Sequence, residues 1–229
     1  MVRILVTGFE PFVAAAENPS GDCVAALRAE GDDGATAWSV LPVTWAGAAR
    51  ALVARADREA VHGCLMFGLA TGAKALRVEG AAYNQAAAPV ADNAGVVRGA
   101  EVLRPDGPEV LRPTGLVVGD LVAAMAAHGV LVEASDDPGR FVCNALYYAA
   151  LSAGRPWSAY SVFVHVPPRE RDVGVALQEA VRRTVAVVAV AAAARRAPSS
   201  PTAQPCRARC APWAPRCARA ARVRAVSRR

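Results

Sequence analysis

Short apolar runs that alternate with segments of helical character constrain the fold of this chain more than any other feature. Residues 2–7, for example, form an apolar run with little alternation of polar positions, which is typical of a strand buried on both faces. We predict strands at 2–7, 38–43, 64–69, 129–134 and 159–166, and the strand at 129–134 is also predicted to be buried. We predict helices over about 22–29, 44–59, 120–128, 143–152 and 172–195. This alternation predicts an α/β fold with a mainly parallel central sheet.

The remaining stretches of the body are less regular. Residues 75–83 are predicted to be extended, and residues 84–113 have no clear periodicity, so we predict a long loop with a short hairpin. A loop of that length inside a compact domain is often functional. Residues 116–118 are predicted to form a short strand. Several polar side chains before helical segments are candidate helix caps: Asn18 or Ser20, Thr44 and Asp120.

The chain changes character after residue 196. Residues 1–196 are predicted to form one domain, because hydrophobic residues make up 54% of the chain and allow a large core. Residues 197–229 hold eight of the 26 basic residues and none of the 20 acidic ones, so the first part is close to neutral. We expect the basic Arg-, Pro- and Cys-rich tail to be disordered, and we expect no nucleic-acid binding by the body.

The sequence favours a cytoplasmic location. No apolar run approaches the roughly 20 residues needed to span a bilayer, and the first residues lack the pattern of a signal peptide. The body cysteines are scattered and are predicted to be reduced thiols, while the tail cysteines match no zinc pattern.

Cys143 occupies the position that best suits a nucleophile. It follows the predicted strand at 129–134 and a turn-forming cluster at 135–139, and it begins a helix that ends near Gly154. The free N–H groups and positive dipole of a first helical turn favour the thiolate, which is the nucleophilic form of cysteine. Alternatively, Cys143 is a small buried apolar residue, the commoner role of a lone intracellular cysteine.

A thiol nucleophile needs a base, and the chain has three histidines. His62 and His128 each precede a glycine at a predicted helix end, a position that histidine occupies for structural reasons. His165 ends an apolar strand at the mouth of the predicted sheet, where a general base is expected. Its alternative role is that of a core histidine satisfied by backbone groups.

A third group should orient the imidazole of such a base. Glu79 is an acidic residue inside an apolar extended segment, and buried acids are rare unless they are paired. Its partner could be His165, or it could be Arg77 or Arg98 in a plain salt bridge.

Eight short motifs mark residues 1–195: Gly8-Phe9-Glu10-Pro11-Phe12, Asn18-Pro19-Ser20, Leu41-Pro42-Val43, Gly68-Leu69-Ala70, 79–84, Asp92-Asn93-Ala94-Gly95, 135–144 and Phe163-Val164-His165-Val166-Pro167. Their order and spacing resemble those of the type I pyroglutamyl peptidases, also called pyrrolidone carboxyl peptidases. The resemblance implies a three-layer α/β/α sandwich and removal of an N-terminal pyroglutamyl residue from peptides through a thioester.

The resemblance also implies the site and the assembly. Matching positions give catalytic Glu79, Cys143 and His165, and substrate-binding Phe9, Phe12 and Asn18. The family uses no metal and no cofactor, so none is expected here. It commonly forms dimers or tetramers, so we expect a homo-oligomer.

The chain departs from the family pattern in the loops around the predicted pocket. Where the family pattern has arginine, this chain has Ala73, Gly80 and Pro89. It has Ala87 in place of an aspartate and Val13-Ala14 in place of a glycine pair. Because the three catalytic residues are kept, we predict a cysteine exopeptidase. The alternatives are a catalytically weak or inactive relative that binds pyroglutamyl-capped peptides, and a protein that binds nucleic acid through its basic tail.

Overall fold

The structure, a computed structural model, describes residues 2–30, 34–168 and 173–196. The strands are β1 (Ile4–Phe9), β2 (Thr36–Leu41), β3 (Gly63–Leu69), β4 (Leu76–Glu79), β5 (Ala82–Tyr83), β6 (Ala86–Ala88), β7 (Arg98–Glu101), β8 (Val110–Leu111), β9 (Val132–Ser135) and β10 (Ser161–Val166). The helices are α1 (Pro19–Glu30), α2 (Gly47–Arg58), α3 (Val118–Ala126), α4 (Val142–Ser152) and α5 (Val173–Arg196). None of these described helices combines the length and apolar character needed to cross a bilayer.

Six strands form the central sheet in the order β2-β1-β3-β10-β4-β9. β2, β1, β3 and β10 pair in parallel, and so do β4 and β9. Among the described strands of this sheet, only the pairing of β10 with β4 is antiparallel. The predicted α/β fold with a mainly parallel sheet is therefore confirmed.

The sheet lies between two layers of helices. Leu5 belongs to an apolar cluster that includes residues of α2 and α4, whereas its neighbours Ile4 and Val6 belong to a second cluster with residues of α1, α3 and α5. Successive side chains of a strand point to opposite faces of the sheet. Each fully buried side chain of this size contributes roughly 1.5–3 kcal/mol, so both faces of the sheet hold the helices in place. The three-layer α/β/α sandwich is confirmed.

The prediction of a buried strand at 129–134 is wrong in its burial. β9 begins later, at Val132, and it lies at the edge of the sheet, where it pairs with β4 alone among the described strands. Leu131, just before it, is 64% exposed. A short apolar run indicates a strand but does not indicate whether a second strand covers its outer edge.

The region before α3 also differs from its prediction. No strand forms at 116–118 in the described chain, and α3 begins at Val118. Asp120 is therefore the third residue of the helix rather than its cap, and the capping position, Val117, makes no side-chain hydrogen bond. Leu116 is buried against the second apolar cluster. The apolar character of this stretch therefore reflects its burial and not a strand.

Two other predicted features of the loops are present, the hairpin and the cap of α1. β6 and β7 form an antiparallel hairpin within residues 84–113. Asn18 caps α1, because its Oδ1 accepts the N–H of Ser20 at 3.2 Å. Thr44 Oγ1 accepts the N–H of Gly47, the first residue of α2, at 3.1 Å, but the capping position of this helix is Ala46, so the cap predicted at Thr44 lies two residues too early. The tail at 197–229, predicted to be disordered, lies outside the described residues, and the domain boundary at 196 stays a prediction.

Candidate active site

Two neighbouring strands bring an acid and a histidine to the same face of the sheet. Val78 and Val164 point into the cluster of α1, α3 and α5. Because side chains alternate along a strand, Glu79 of β4 and His165 of β10 point to the opposite face, toward α4. Their carboxylate and imidazole are thus placed beneath the start of the helix that carries Cys143.

Glu79 and His165 form a buried pair. Oε1 of Glu79 lies 2.8 Å from Nδ1 of His165, and the two residues are 0% and 5% exposed. The alternative partners are engaged elsewhere, since Arg77 pairs with Glu133 and Arg98 with Glu101. The second oxygen, Oε2 of Glu79, is buried and has no hydrogen-bond partner among the described residues.

Cys143 is the second residue of α4, in the first turn as predicted, and it is half-buried. The sulfur needs the absence of a side chain at Gly68: a Cβ there would stand 2.9 Å from Sγ of Cys143 and 2.6 Å from the ring of Phe163. A glycine on a central strand often marks such a close approach, which accounts for one motif of the sequence.

The state of the Cys143 thiol differs from its prediction. Burial, together with the negative charge of Glu79, raises the pKa of Cys143 to about 12, although a hydrogen bond from its own backbone N–H acts in the opposite direction. The predicted stabilisation of the thiolate by the helix start is therefore outweighed. Removing an ion from water costs more than one hydrogen bond returns, so the unliganded protein holds Cys143 as a thiol.

Cys143 lies between two cavities. A narrow slot on one side has a mostly apolar lining: Phe9, Phe12, Asn18, Val43, Leu69, Phe141, Val142 and Cys143 itself. The other side opens into a cleft of about 560 Å³, to which His165 and Cys143 both contribute. We call these cavities the slot and the cleft.

Aromatic rings form the walls of the slot. Phe9 is buried and Phe12 half-buried, and the ring of Phe12 lies 6.0 Å from that of Phe141. Trp45 supports Phe141 edge-on at 5.2 Å. Sequence reasoning named Phe9 and Phe12 but missed Phe141, although an aromatic residue two positions before the candidate nucleophile was a usable signal.

Asn18 lines the slot, but its amide also holds the loop that carries the phenylalanines. Its Nδ2 donates to the carbonyl of Glu10 at 2.9 Å, and its Oδ1 accepts the hydroxyl of Ser20 at 2.7 Å. Ser20 Oγ in turn accepts the N–H of Phe9 at 3.1 Å. The chain around the slot is therefore fixed by hydrogen bonds that begin at Asn18.

Two further motif residues, both buried, support the site without lining it. Asn144 exchanges hydrogen bonds with both backbone groups of Tyr83 and also donates to the carbonyl of Gln85, which ties α4 to the β5–β6 loop. Asp92 accepts N–H groups of Trp45 and Val96. Burial opposes ionisation of Asp92, but these backbone bonds lower its pKa, so its carboxylate anchors the loop behind the slot.

Some departures from the family pattern fall at the cleft. Ala87 and Pro89 line it. At Gly80 a Cβ would stand 2.5 Å from Oδ1 of Asp136, and Arg112 donates to both the Gly80 carbonyl and Asp136. Nowhere in the described residues is a cluster of three or more His, Cys, Asp or Glu side chains arranged to hold a metal ion.

Comparison with known sequences gives a consistent result. The family described as pyroglutamyl peptidase matches residues 2–197. The chain is 30% identical over 168 residues to pyrrolidone-carboxylate peptidase 2 of Streptococcus pneumoniae, which covers 72% of this chain and 78% of that protein. It is 35% identical over 158 residues to the pyrrolidone-carboxylate peptidase of Mycobacterium marinum, covering 66% of this chain and 69% of the relative.

Solved structures agree with the sequence match. The crystal structure of pyrrolidone carboxyl peptidase from Pyrococcus furiosus superposes with a TM-score of 0.74 and 25% identity, over 82% of this chain and 100% of that one. The pyroglutamyl peptidase I of Bacillus amyloliquefaciens shares the fold with a TM-score of 0.72, 24% identity and coverage of 81% and 98%. The fold, the motifs and the family match agree: this chain belongs to the pyroglutamyl peptidase family.

Proposed function

We propose that this protein is a cysteine exopeptidase that hydrolyses the amide bond after an N-terminal pyroglutamyl residue. The observation that carries the proposal is the buried Glu79–His165 pair at 2.8 Å, whose histidine lines the same cleft as Cys143. In this proposal Cys143 is the nucleophile, His165 the general base and acid, and Glu79 the group that orients the imidazole.

The slot suits a pyroglutamyl ring. Pyroglutamate is a small, flat, neutral lactam without an α-amine, and the aromatic walls at Phe9, Phe12 and Phe141 match such a ring. An ordinary N-terminus carries an ammonium group, which would be buried in this apolar slot without a partner. The slot thus favours the lactam and excludes unmodified peptides.

The raised pKa of the thiol defines the first step. A carboxylate at Glu79 accepts the Nδ1 proton of His165, which leaves Nε2 as the basic nitrogen. As Sγ of Cys143 attacks the pyroglutamyl carbonyl carbon, the thiol proton passes to Nε2 of His165. Attack and proton transfer proceed together, because the thiolate is disfavoured before substrate arrives.

The later steps reuse the same groups. Backbone N–H groups at the start of α4 are the candidate donors to the oxyanion. The imidazolium of His165 gives its proton to the departing amine as the carbon–nitrogen bond breaks, and a thioester remains on Cys143. His165 then takes a proton from water, which attacks the thioester carbon; as the carbon–sulfur bond breaks, the imidazolium gives this proton to Sγ, so pyroglutamate leaves and the thiol is restored.

The experiment measures release of a fluorescent amine from a pyroglutamyl amide by the purified chain and by Cys143→Ala. We expect turnover by the wild-type protein and none by the variant. Absence of turnover by a folded wild-type protein would contradict the proposal, and binding of the substrate in that case would favour the inactive relative.

The predicted cytoplasmic location and the predicted assembly into dimers or tetramers complete the proposal. Light scattering of the purified chain tests the assembly, and a monomer at all concentrations would contradict it. Fractionation of the cells that produce the protein tests the location.

A further inference from the structure

We propose that Arg77 binds a carboxylate on the first residue of the leaving peptide, so that this protein prefers pyroglutamyl peptides with an acidic group directly after the scissile amide. The carboxylate comes either from an aspartate or glutamate side chain or from the free C-terminus of a pyroglutamyl dipeptide. This inference rests on the proposed function and specifies its substrate class.

The first support is the position of Arg77 beside His165. The two residues face each other across the antiparallel pair of β4 and β10. Side chains at such positions point to the same face with their Cβ atoms about 4.5–5.5 Å apart. Both residues line the cleft, so a positive side chain stands next to the imidazole that protonates the leaving amine.

The second support is the direction in which a substrate lies. With the lactam ring in the slot and the scissile carbonyl at Cys143, the departing peptide occupies the cleft. Its nitrogen must reach His165 in order to take a proton. The side chain and the carboxyl group of the first leaving residue therefore lie within the part of the cleft that Arg77 lines.

The third support is how loosely the guanidinium of Arg77 is held. Its Nη2 donates to the hydroxyl of Ser135 at 3.0 Å. Its Nε is buried and has no hydrogen-bond partner within the described residues; it lies 3.5 Å from Glu133, a carboxylate whose side chain is 60% exposed. An ion pair at 3.5 Å with a largely exposed carboxylate contributes little, so the terminal nitrogens of the guanidinium can turn to a substrate carboxylate at small cost.

The other charged groups of the cleft are already committed. Asp137 bonds to Arg140 at 2.7 Å, and that hydrogen bond holds the pKa of Asp137 below its ordinary value. Arg140 also bonds to Gln85 and lies over the ring of Tyr83 at 3.8 Å. Arg77 is thus the cation of the cleft that is best placed to receive an anion.

The test compares pyroglutamyl-glutamate amide with pyroglutamyl-glutamine amide, which differ only in the charge of one side chain. Release of pyroglutamate is followed by chromatography, and the ratio of the two kcat/KM values is determined. We expect a ratio of about ten for the wild-type protein and about one for Arg77→Gln, since the extra free energy of a charge-assisted hydrogen bond over a neutral one corresponds to roughly tenfold in kcat/KM. Arg50→Gln, an equal loss of charge at an exposed position of α2, should keep the wild-type ratio.

A third substrate, pyroglutamyl-glutamine with a free C-terminus, separates the two sources of the carboxylate. If Arg77→Gln abolishes a preference for this free acid over its amide, the C-terminus is the ligand; if it abolishes the preference for glutamate, the side chain is. A wild-type protein that turns over all three substrates without either preference overturns the inference and leaves the proposed function intact. If Arg77→Gln does not fold, the wild-type ratio is measured at low and high salt, and a ratio insensitive to salt overturns the inference instead.

Discussion

The slot and the cleft meet at Cys143 but are built from different materials. The slot is lined almost entirely by apolar and aromatic side chains from β1 and the loop after it, the loop after β2, the end of β3 and the start of α4. The cleft is lined by loops that include Gly72, Pro89 and Gly139, and it contains arginines and an aspartate. A fixed apolar site suits one invariant group, and a charged site lined by loops suits a variable group. We infer that the slot selects the pyroglutamyl ring and the cleft selects the peptide that leaves.

The largest expected effect is on kcat, and it comes from Glu79, which acts on the groups where the slot and the cleft meet. In Glu79→Gln the amide would donate to Nδ1 of His165 and leave the ring proton on Nε2, so that the imidazole cannot accept the thiol proton. We expect kcat for a neutral pyroglutamyl amide to fall about a thousandfold. Loss of the Glu79 charge should also lower the pKa of Cys143, so alkylation of the thiol by iodoacetamide at pH 8 should become faster.

Opposite changes in turnover and alkylation distinguish this mechanism from unfolding or loss of the site. Glu109→Gln, at an exposed residue, is the control and should change neither. Slower alkylation in Glu79→Gln would contradict the assigned effect of the Glu79 charge on the thiol.

A matched pair of substitutions separates the slot from the cleft. Val43 lines the slot and is 4% exposed, whereas Val90 lines the cleft and is 41% exposed. In Val43→Phe the new ring fills the slot, and we expect kcat/KM to fall about a hundredfold for every leaving residue, with a loss of about 1–3 kcal/mol in the free energy of unfolding. The measurement uses a series of pyroglutamyl amides and thermal unfolding.

The same substitution on the other side should have a smaller and selective effect. In Val90→Phe the ring can turn into solvent. We therefore expect kcat/KM to fall about threefold for a large leaving residue and to stay nearly unchanged for a small one. If Val90→Phe instead lowers kcat/KM equally for all leaving residues, the inference that the cleft selects the leaving peptide is wrong.

The parts of the site that could be predicted from the sequence are those with local signals. Cys143 follows turn-forming residues and begins a helix, and His165 ends an apolar strand, so both positions followed from patterns within about ten residues. Glu79 was recognisable as an acid in an apolar segment. Its partner was not, because the choice among His165, Arg77 and Arg98 depends on the pairing of β4 with β10.

The features that sequence reasoning missed depend on distant contacts. The pKa of Cys143 is set by its burial and by a carboxylate 64 positions earlier in the chain. The exposure of β9 follows from the strand order, in which it is the last member of the sheet. Local propensity predicts that a strand forms but contains no information on which strands become its neighbours.

The smallest expected effect on turnover is that of a thiol in the core, which can be compared with the thiol of the site. Burial raises the pKa of Cys64, which lies within the sheet, to about 12, close to that of Cys143. A raised folded-state pKa means that the unfolded chain loses its thiol proton first, so the stability is fully present below pH 9 and declines as the pH rises toward 12. Each such thiol should cost about 1.4 kcal/mol per pH unit within that window.

Cys64→Ala should therefore lessen the alkaline loss of stability, as measured by urea unfolding at pH 8 and pH 10, while pyroglutamyl amide turnover at pH 8 persists in the fraction that is folded. Cys143→Ala should lessen the alkaline loss to a similar degree but abolish turnover. The comparison of the two variants thus separates the effect of a buried thiol on stability from the role of a thiol in turnover. If neither variant changes the slope of stability between pH 8 and pH 10, burial does not hold these thiols in their protonated state, and the concerted attack proposed for Cys143 would lose its basis.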